Sequence, residues 1–190
     1  MMTDPETPRS DARPEPQTAG EPIQPRMDIL TQCVRDVSFE NALAQKGRYS
    51  GDVTPAVEVQ VALDVRKRPE AANFEIIQKY KIISKDSGSG ETIFVVELDY
   101  AGLVAVSGCP EDQLHPFLMI EGPRLMFPFV RQIVSTLTRE GGFPQLNVAT
   151  IDFVALYRRE IARRLRERAE RDAASAAAAG VTLGGAQPSA

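Results

Sequence analysis

The side chains that most often carry catalysis or bind metals are scarce in this chain of 190 residues. His115 is the single histidine, and its apolar surroundings favour a half-buried helix residue over a catalytic base. Cys33 and Cys109 lack the spacing of a metal site, so we interpret both as packing residues with reduced thiols. The sequence contains neither a glycine-rich phosphate loop followed by Lys and Ser or Thr nor a Gly-x-Ser-x-Gly elbow. We therefore predict no metal site.

Four carboxylates could in principle form an acid–base pair, namely Asp36, Glu40, Glu97 and Asp99. The hydrophobic pattern places them on strand faces exposed to water, where nothing would separate their pKa values. We therefore interpret them as a solvated acidic face. An enzyme or a small-ligand-binding domain is kept as a separate hypothesis, which saturable binding of a small molecule would support.

Alternation of apolar and polar residues predicts four strands, at residues 34–40, 57–65, 74–83 and 92–100. In the second of these, the residues predicted to share one face are Val57, Val59, Val61, Leu63 and Val65. In the last, they are Phe94, Val96, Leu98 and Tyr100. A Ser-Gly-Ser-Gly turn at 87–90 predicts an antiparallel hairpin. We expect an antiparallel sheet with one polar and one apolar face.

After Cys109 the hydrophobic period becomes helical. Residues 110–112 resemble the first turn of a helix, and a longer helix is predicted from near Pro123 to the Gly141–Gly142 pair. Pro128 should bend this helix or remove one backbone hydrogen bond. A final helix is predicted to begin near Thr150 or Asp152. Strands followed by helices predict an α+β fold, with two C-terminal helices packed on the sheet.

The two ends of the chain differ in composition from its middle. Residues 1–26 carry six prolines among charged and small residues and cannot bury enough apolar surface, so we predict a disordered extension. Residues 27–168 should form the folded domain, and 169–190 a flexible tail rich in Ala and Gly. The N-terminus does not resemble a secretory signal, and the sequence lacks an apolar stretch of about 18 residues. We expect a cytoplasmic protein that does not insert into membranes.

The formal net charge of −4 is unevenly distributed. Residues 158–171 hold seven arginines against three glutamates. Because these charges are interleaved and few aromatic residues accompany them, a salt-bridged, solvated helix is favoured over a nucleic-acid interface. The acidic remainder of the chain also argues against binding nucleic acid.

Two features suggest a binding function. The first is the outward face of the fourth predicted strand, where Asp36 and Glu40 of the first strand add charge. Its residues are Ile93, Val95, Glu97 and Asp99. Apolar contact beside acidic groups would suit a basic partner. The alternative is that Ile93 and Val95 are covered by neighbouring chain, and the pattern alone leaves both interpretations open.

The second feature is a helix that is apolar on nearly all sides. Its apolar residues are Leu118, Met119, Ile120, Leu125, Met126, Phe127, Phe129 and Val130. A helix that is apolar all round must be buried all round, and one sheet covers a single side. The remainder requires a second subunit or a client peptide.

Five segments in order resemble the SecB family of protein-export chaperones. Residues 122–131, with the sequence GPRLMFPFVR, resemble a helix motif of that family, and 141–147 resemble the loop that follows it. Residues 151–157 resemble the start of its last helix. Residues 36–40 and 91–98 match its strands. The likeness covers residues 30–164.

The resemblance implies a homotetramer, a dimer of dimers, with the helix around residues 127–139 at the central interface. Such chaperones hold secretory precursors unfolded in the cytoplasm and deliver them to the SecA ATPase, without a cofactor and without hydrolysis. A SecB-like holdase that serves another client, such as a toxin–antitoxin system, is the alternative, which a neighbouring toxin or antitoxin gene would favour.

The resemblance also implies site residues. The positions that match SecA contacts are Asp36, Glu40, Val95 and Glu97. The positions that match the client-peptide groove, between the sheet and the helices, are Val53, Phe129, Tyr157 and Ile161. The family's C-terminal tail also contacts SecA, whereas the tail here is rich in alanine.

Overall fold

The computed structural model describes residues 24–48, 53–69 and 72–181. Its elements are β1 (Arg26–Asn41), α1 (Ala42–Gln45), β2 (Pro55–Lys67), β3 (Asn73–Asp86), β4 (Thr92–Ser107), α2 (Glu111–Glu140) and α3 (Phe153–Val181). The strands form one antiparallel sheet in the order β1-β4-β3-β2. The predicted α+β fold, with two C-terminal helices on a four-stranded sheet, is confirmed.

The core lies between one face of this sheet and the two long helices. β3 and β4 are central strands, so their inner residues are buried; these include Ile76, Tyr80, Ile82, Val96, Leu98 and Val104. Met126, Val130 and Val134 of α2 pack in the same core. The predicted common side of Phe94, Val96, Leu98 and Tyr100 is confirmed, because all four are buried.

The edge strands are less covered than predicted. Val57 and Val59 are exposed, because β2 is an edge strand and its partly buried residues fall in its second half. β1 begins eight residues before the predicted strand and contains two bulges, at Leu30 and Arg35, where the pairing with β4 skips one residue. The opposite face of the sheet is not uniformly wet either, since Ile77 is fully buried there.

The helices also differ from prediction at their ends. The predicted first turn at 110–112 and the predicted longer helix are one continuous helix, α2, which contains Pro116, Pro123 and Pro128. α3 continues to Val181, beyond the predicted end of the domain at residue 168. Alanine has the strongest helix propensity, which explains this continuation into the predicted tail. Of the extension predicted to be disordered, residues 1–26, residues 1–23 lie outside the described residues, as do the tail residues 182–190, whereas Arg26 is already part of β1.

The loop between α2 and α3 is held by buried and half-buried hydrogen bonds. The Thr138 hydroxyl donates to the carbonyl of Val134 at 3.0 Å and accepts from the Leu146 N–H at 2.9 Å. The Asn41 side chain donates to the carbonyl of Gly141 at 2.9 Å, which joins the end of β1 to the end of α2. These bonds fix a loop that lines one of the apolar depressions described below.

Candidate functional site

The sheet register places the four predicted SecA-contact residues on one face. Asp36 is directly opposite Asp99, and Glu40 is directly opposite Val95. Glu97 lies between these two rows on β4, opposite a serine of β1. Opposite residues in an antiparallel pair point to the same face, about 4.5–5.5 Å apart. We call Asp36, Glu40, Val95, Glu97 and Asp99 the outer acidic surface.

Two lysines of β3 border the outer acidic surface. Lys79 Nζ lies 2.6 Å from a carboxylate oxygen of Asp99, and Lys81 Nζ lies 2.7 Å from one of Glu97. The hydrogen bond to Glu97 raises the pKa of the Lys81 ammonium group, with a smaller contribution from Glu40. The surface therefore combines carboxylates, their lysine partners and one half-buried aliphatic residue, Val95.

Ile93 does not belong to this surface, contrary to the outward position predicted for it. It is 1% exposed and part of the core. The pairing of β4 with β3 passes from Phe94 to Thr92 while β3 advances by one residue, so Ile93 is the extra residue of a β-bulge. A bulge disrupts the regular alternation of a strand, which explains why both Ile93 and Phe94 are buried.

Val53, a predicted groove residue, lines an apolar depression of about 400 Å³ at one end of the sheet. Its other apolar side chains come from the strands and from the loop after α2, and they are Pro55, Val57, Ile93, Phe94, Phe143, Pro144 and Leu146. The volume is within the range of small-ligand sites and suits an apolar side chain of an extended peptide. Sequence reasoning missed Phe143 and Leu146 as lining residues, although two apolar residues in a Gly/Pro loop were a usable signal.

Two of the other predicted groove residues, Phe129 and Tyr157, line different depressions. Phe129 on α2 faces the edge strand β1, with Val34 and Ile133 nearby. Tyr157 on α3 lies beside the second half of β2 and Met119. Ile161 is half-buried one helical turn after Tyr157. Thus the structure brings Tyr157 and Ile161 together but places Val53 and Phe129 at other parts of the inner face.

One side of α2 is apolar and uncovered. Met126, Phe127 and Val130 are buried against the sheet, whereas Leu125 and Phe129 are 46% and 45% exposed. Val34 of the neighbouring edge strand is exposed as well. We call Val34, Leu125 and Phe129 the β1–α2 apolar face. Adjacent exposed apolar side chains of this kind are typical of a protein interface.

The residues with possible catalytic chemistry are dispersed. His115, near the start of α2, is exposed rather than half-buried, and its Nδ1 lies 3.3 Å from the hydroxyl of Tyr157. Within the described ranges, no group of three His, Cys, Asp or Glu side chains could hold a metal ion. Cys33 and Cys109 are free thiols. None of the described helices is long and apolar enough to cross a membrane.

The arginine-rich part of α3 is laced with ion pairs. Arg163 contacts both Glu160 and Glu167, and Arg164 contacts Glu160 at 2.7 Å. These contacts agree with the predicted salt-bridged helix. They also lower the pKa of Glu160, mainly through the hydrogen bond from Arg163.

Comparison with known proteins agrees with this architecture. The family model of preprotein translocase subunit SecB matches residues 20–164. The chain belongs to the SecB family. The protein-export protein SecB of Cereibacter sphaeroides is 58% identical over 156 residues, which cover 82% of this chain and 93% of that protein. The SecB of Paracoccus denitrificans is also 58% identical, covering 80% of this chain and 88% of that protein.

A solved structure shares the fold at much lower identity. It is a SecB-like chaperone of Mycobacterium tuberculosis in complex with a peptide from an antitoxin. The two chains are 14% identical, with a TM-score of 0.56, and the match covers 67% of this chain and 91% of that one. At this identity the likeness supports the SecB fold only.

Proposed function

We propose that this SecB chain is a cytoplasmic holdase, which keeps secretory precursors unfolded and delivers them to the SecA ATPase. It works without a cofactor and catalyses no reaction. Membership of an export-chaperone family and identities of 52–58% to proteins named protein-export protein SecB support this proposal. Binding of unfolded chains would use burial of apolar area, worth about 25 cal/mol per Å², and would have little sequence specificity.

The shared face of Asp36, Glu40, Val95 and Glu97 is the observation that carries the SecA part of the proposal. The sheet register brings together residues from two strands that are more than 50 positions apart in sequence. Carboxylates around an aliphatic residue offer both steering of a basic partner and apolar contact. SecA would therefore dock on the outer acidic surface, opposite to the helices.

Clients would bind on the inner, helix-bearing side. Val53, Phe129 and Tyr157 supply apolar and aromatic side chains there, in separate depressions rather than in one pocket, and Ile161 is half-buried on the same helix as Tyr157. An extended polypeptide can reach several such depressions in succession, because each residue of an extended chain spans about 3.3 Å. The two partners would then use opposite faces of one sheet.

Assembly as a homotetramer, a dimer of dimers, is supported by the β1–α2 apolar face. Val34 and Leu125 of this face are 41% and 46% exposed in the single chain. Exposed apolar residues of this kind favour burial against another subunit, whereas Phe129, the third residue of the face, is assigned to the client groove. The central interface would use this helix.

A holdase for an antitoxin is the second candidate. Its support is the M. tuberculosis chaperone with the same fold and an antitoxin peptide bound. The export assignment is preferred, because the relatives with more than half of their residues identical are named for protein export. A pull-down that offers an unfolded precursor and an antitoxin peptide in parallel separates the two.

The Glu97→Lys variant tests the SecA assignment. Like charges placed against a basic partner cost several kcal/mol, so SecA binding should weaken by about tenfold or more, while binding of an unfolded precursor stays within about twofold. Isothermal titration with purified SecA and with the precursor measures both. The control is Glu140→Lys, which makes the same charge change at an exposed position of α2. Equal loss of both partners in the Glu97 variant would show that the face is misassigned.

A further inference from the structure

The carboxylates of the outer acidic surface are not equally available. Asp36 and Glu40 on β1 have no ion-pair partner within the residues that the structure describes. Asp99 and Glu97 on β4 each hold a lysine of β3, at 2.6 and 2.7 Å. A basic partner of this surface therefore meets two carboxylates without a direct ion pair and two that already contact a lysine of the sheet.

The two internal pairs differ in their surroundings. Asp99 lies directly opposite Asp36, and like charges in this position repel each other. Lys79 offsets that repulsion, and the side chain of Asp99 is only 27% exposed. The Lys79–Asp99 pair thus helps to hold the sheet together. A partner that displaced Lys79 from Asp99 would destabilise the sheet.

The Lys81–Glu97 pair has no such constraint. Glu97 lies opposite Ser38, and its side chain and that of Lys81 are about half exposed, at 53% and 48%. Exposed pairs of this kind are weak and exchange readily with other ions. A cation from outside can take the place of the Lys81 ammonium group while the lysine turns into solvent.

We propose that Lys81 is an internal competitor for the basic partner of the outer acidic surface, occupying Glu97 until an arginine-rich or lysine-rich segment displaces it. The inference rests on the proposed docking role of that surface. Lys81 would weaken binding of all cationic ligands and favour partners with several positive charges, which can engage Asp36 and Glu40 at the same time. Lys81 is a specificity-determining residue, because a ligand with a single positive charge gains little binding free energy by displacing it.

The test uses the full chain and a hexa-arginine peptide as the probe, titrated at low ionic strength. Lys81→Gln should bind the peptide about two- to fivefold more tightly than wild type, which is the range expected for losing one exposed competing pair. Lys85→Gln is the matched control. It removes the same charge from the same strand, at an exposed position without an ion pair among the described residues. Its binding should rise less than that of Lys81→Gln.

A double-mutant cycle locates the effect. In a Glu97→Gln background, removal of the Lys81 charge should no longer improve binding beyond the Lys85 control, because the competed carboxylate is gone. If Lys81→Gln fails to fold, Lys81→Met takes its place, because methionine keeps the aliphatic part of the side chain. Equal gains in the Lys81 and Lys85 variants would overturn the inference, and so would an absence of peptide binding in both.

A second titration with SecA separates this inference from the proposed function. If the wild-type chain binds hexa-arginine but not SecA, delivery to SecA is refuted. A selective gain in peptide binding by Lys81→Gln would still support the inference that Lys81 competes for Glu97. If SecA binds equally well with and without the Lys81 charge, and the peptide shows no selective gain, the proposed function stands. The inference that Lys81 competes with the partner is then refuted.

Discussion

Asp86 is a single carboxylate that joins three parts of the chain. One of its oxygens accepts a hydrogen bond from the Thr54 N–H at 3.0 Å, and the other accepts from the N–H and the hydroxyl of Ser89, at 2.9 and 2.7 Å. The turn between β3 and β4 is thereby tied to the segment that carries Val53. The hydrogen bond from the Ser89 hydroxyl is the largest of several that lower the pKa of Asp86 from 3.8 to about 2.

The depressed pKa of Asp86 predicts a pH-dependent stability. A carboxyl group whose pKa is lowered by folding stabilises the native state above its ordinary pKa, and this contribution is lost as the pH falls from about 4 to about 2. Asp86→Asn should therefore be less stable than wild type at pH 7, and the difference should shrink toward pH 3. Thermal unfolding at several pH values measures it. Ser87→Ala changes the same turn without touching the carboxylate, so it should follow the wild-type pH dependence; a constant Asp86 difference at all pH values would contradict the prediction.

The sequence could predict the residues of the outer acidic surface, but it could not predict all of the residues that lie beside them. Val95, Glu97 and Asp99 alternate correctly, because strand alternation depends only on the regular pleat. Ile93 was misplaced, since a bulge depends on how two strands pair and leaves no clear local signal. The lysine partners were visible as polar residues of β3, but their pairing with particular acids required the register.

At the scale of elements, the close approach of α2 to the sheet depends on Gly122. A Cβ atom built at this position would lie 2.1 Å from Ile76 Cδ1, and Ile76 is fully buried. A side chain at position 122 would therefore require Ile76 or the helix to shift. This position falls in the middle of α2, where glycine otherwise lowers helix propensity.

Substitution of Gly122 should show this constraint. We expect Gly122→Ala to destabilise the protein by about 1–3 kcal/mol, despite its better helix propensity, because overpacking forces the helix or Ile76 to shift. Urea unfolding followed by circular dichroism measures the change. Thr136→Ala, at an exposed position of the same helix, is the control and should be neutral or slightly stabilising. A more stable Gly122→Ala would mean that α2 has room to move.

The strands of this fold were easier to predict than its first long helix. Period-two alternation with β-branched residues identified all four strands, because one face of the sheet packs against the helices. The sequence predicts a helix first turn at 110–112 and a longer helix from near Pro123, yet both belong to one helix, which also contains Pro116. Each proline removes one backbone hydrogen bond, and packing of Leu118, Met119 and Met126 in the core offsets that loss.

At the scale of the whole molecule, the β1–α2 apolar face predicts the state of assembly. Static light scattering at micromolar concentration should give about four times the chain mass of 20.8 kDa. Leu125→Asp should dissociate the assembly while leaving the single chain folded, because Leu125 is 46% exposed there and a carboxylate would be buried only in the interface.

A matched variant distinguishes this effect from a general loss of stability. Gln113→Asp introduces the same carboxylate at an exposed position in the first turn of α2, where the helix dipole favours it. It should keep the wild-type mass. A stable wild-type monomer, or dissociation of both variants, would contradict the proposed use of this face.

The bulges at Leu30 and Arg35 have a consequence for a protein that works among unfolded chains. A regular outer strand offers a row of free amide and carbonyl groups on which aggregating polypeptides can build cross-β layers. Two interruptions within 16 residues break that row and increase the local twist. We therefore expect β1 to be a poor template for fibril growth, so that an unfolded chain bound elsewhere on the protein is less able to add to the sheet as a further strand.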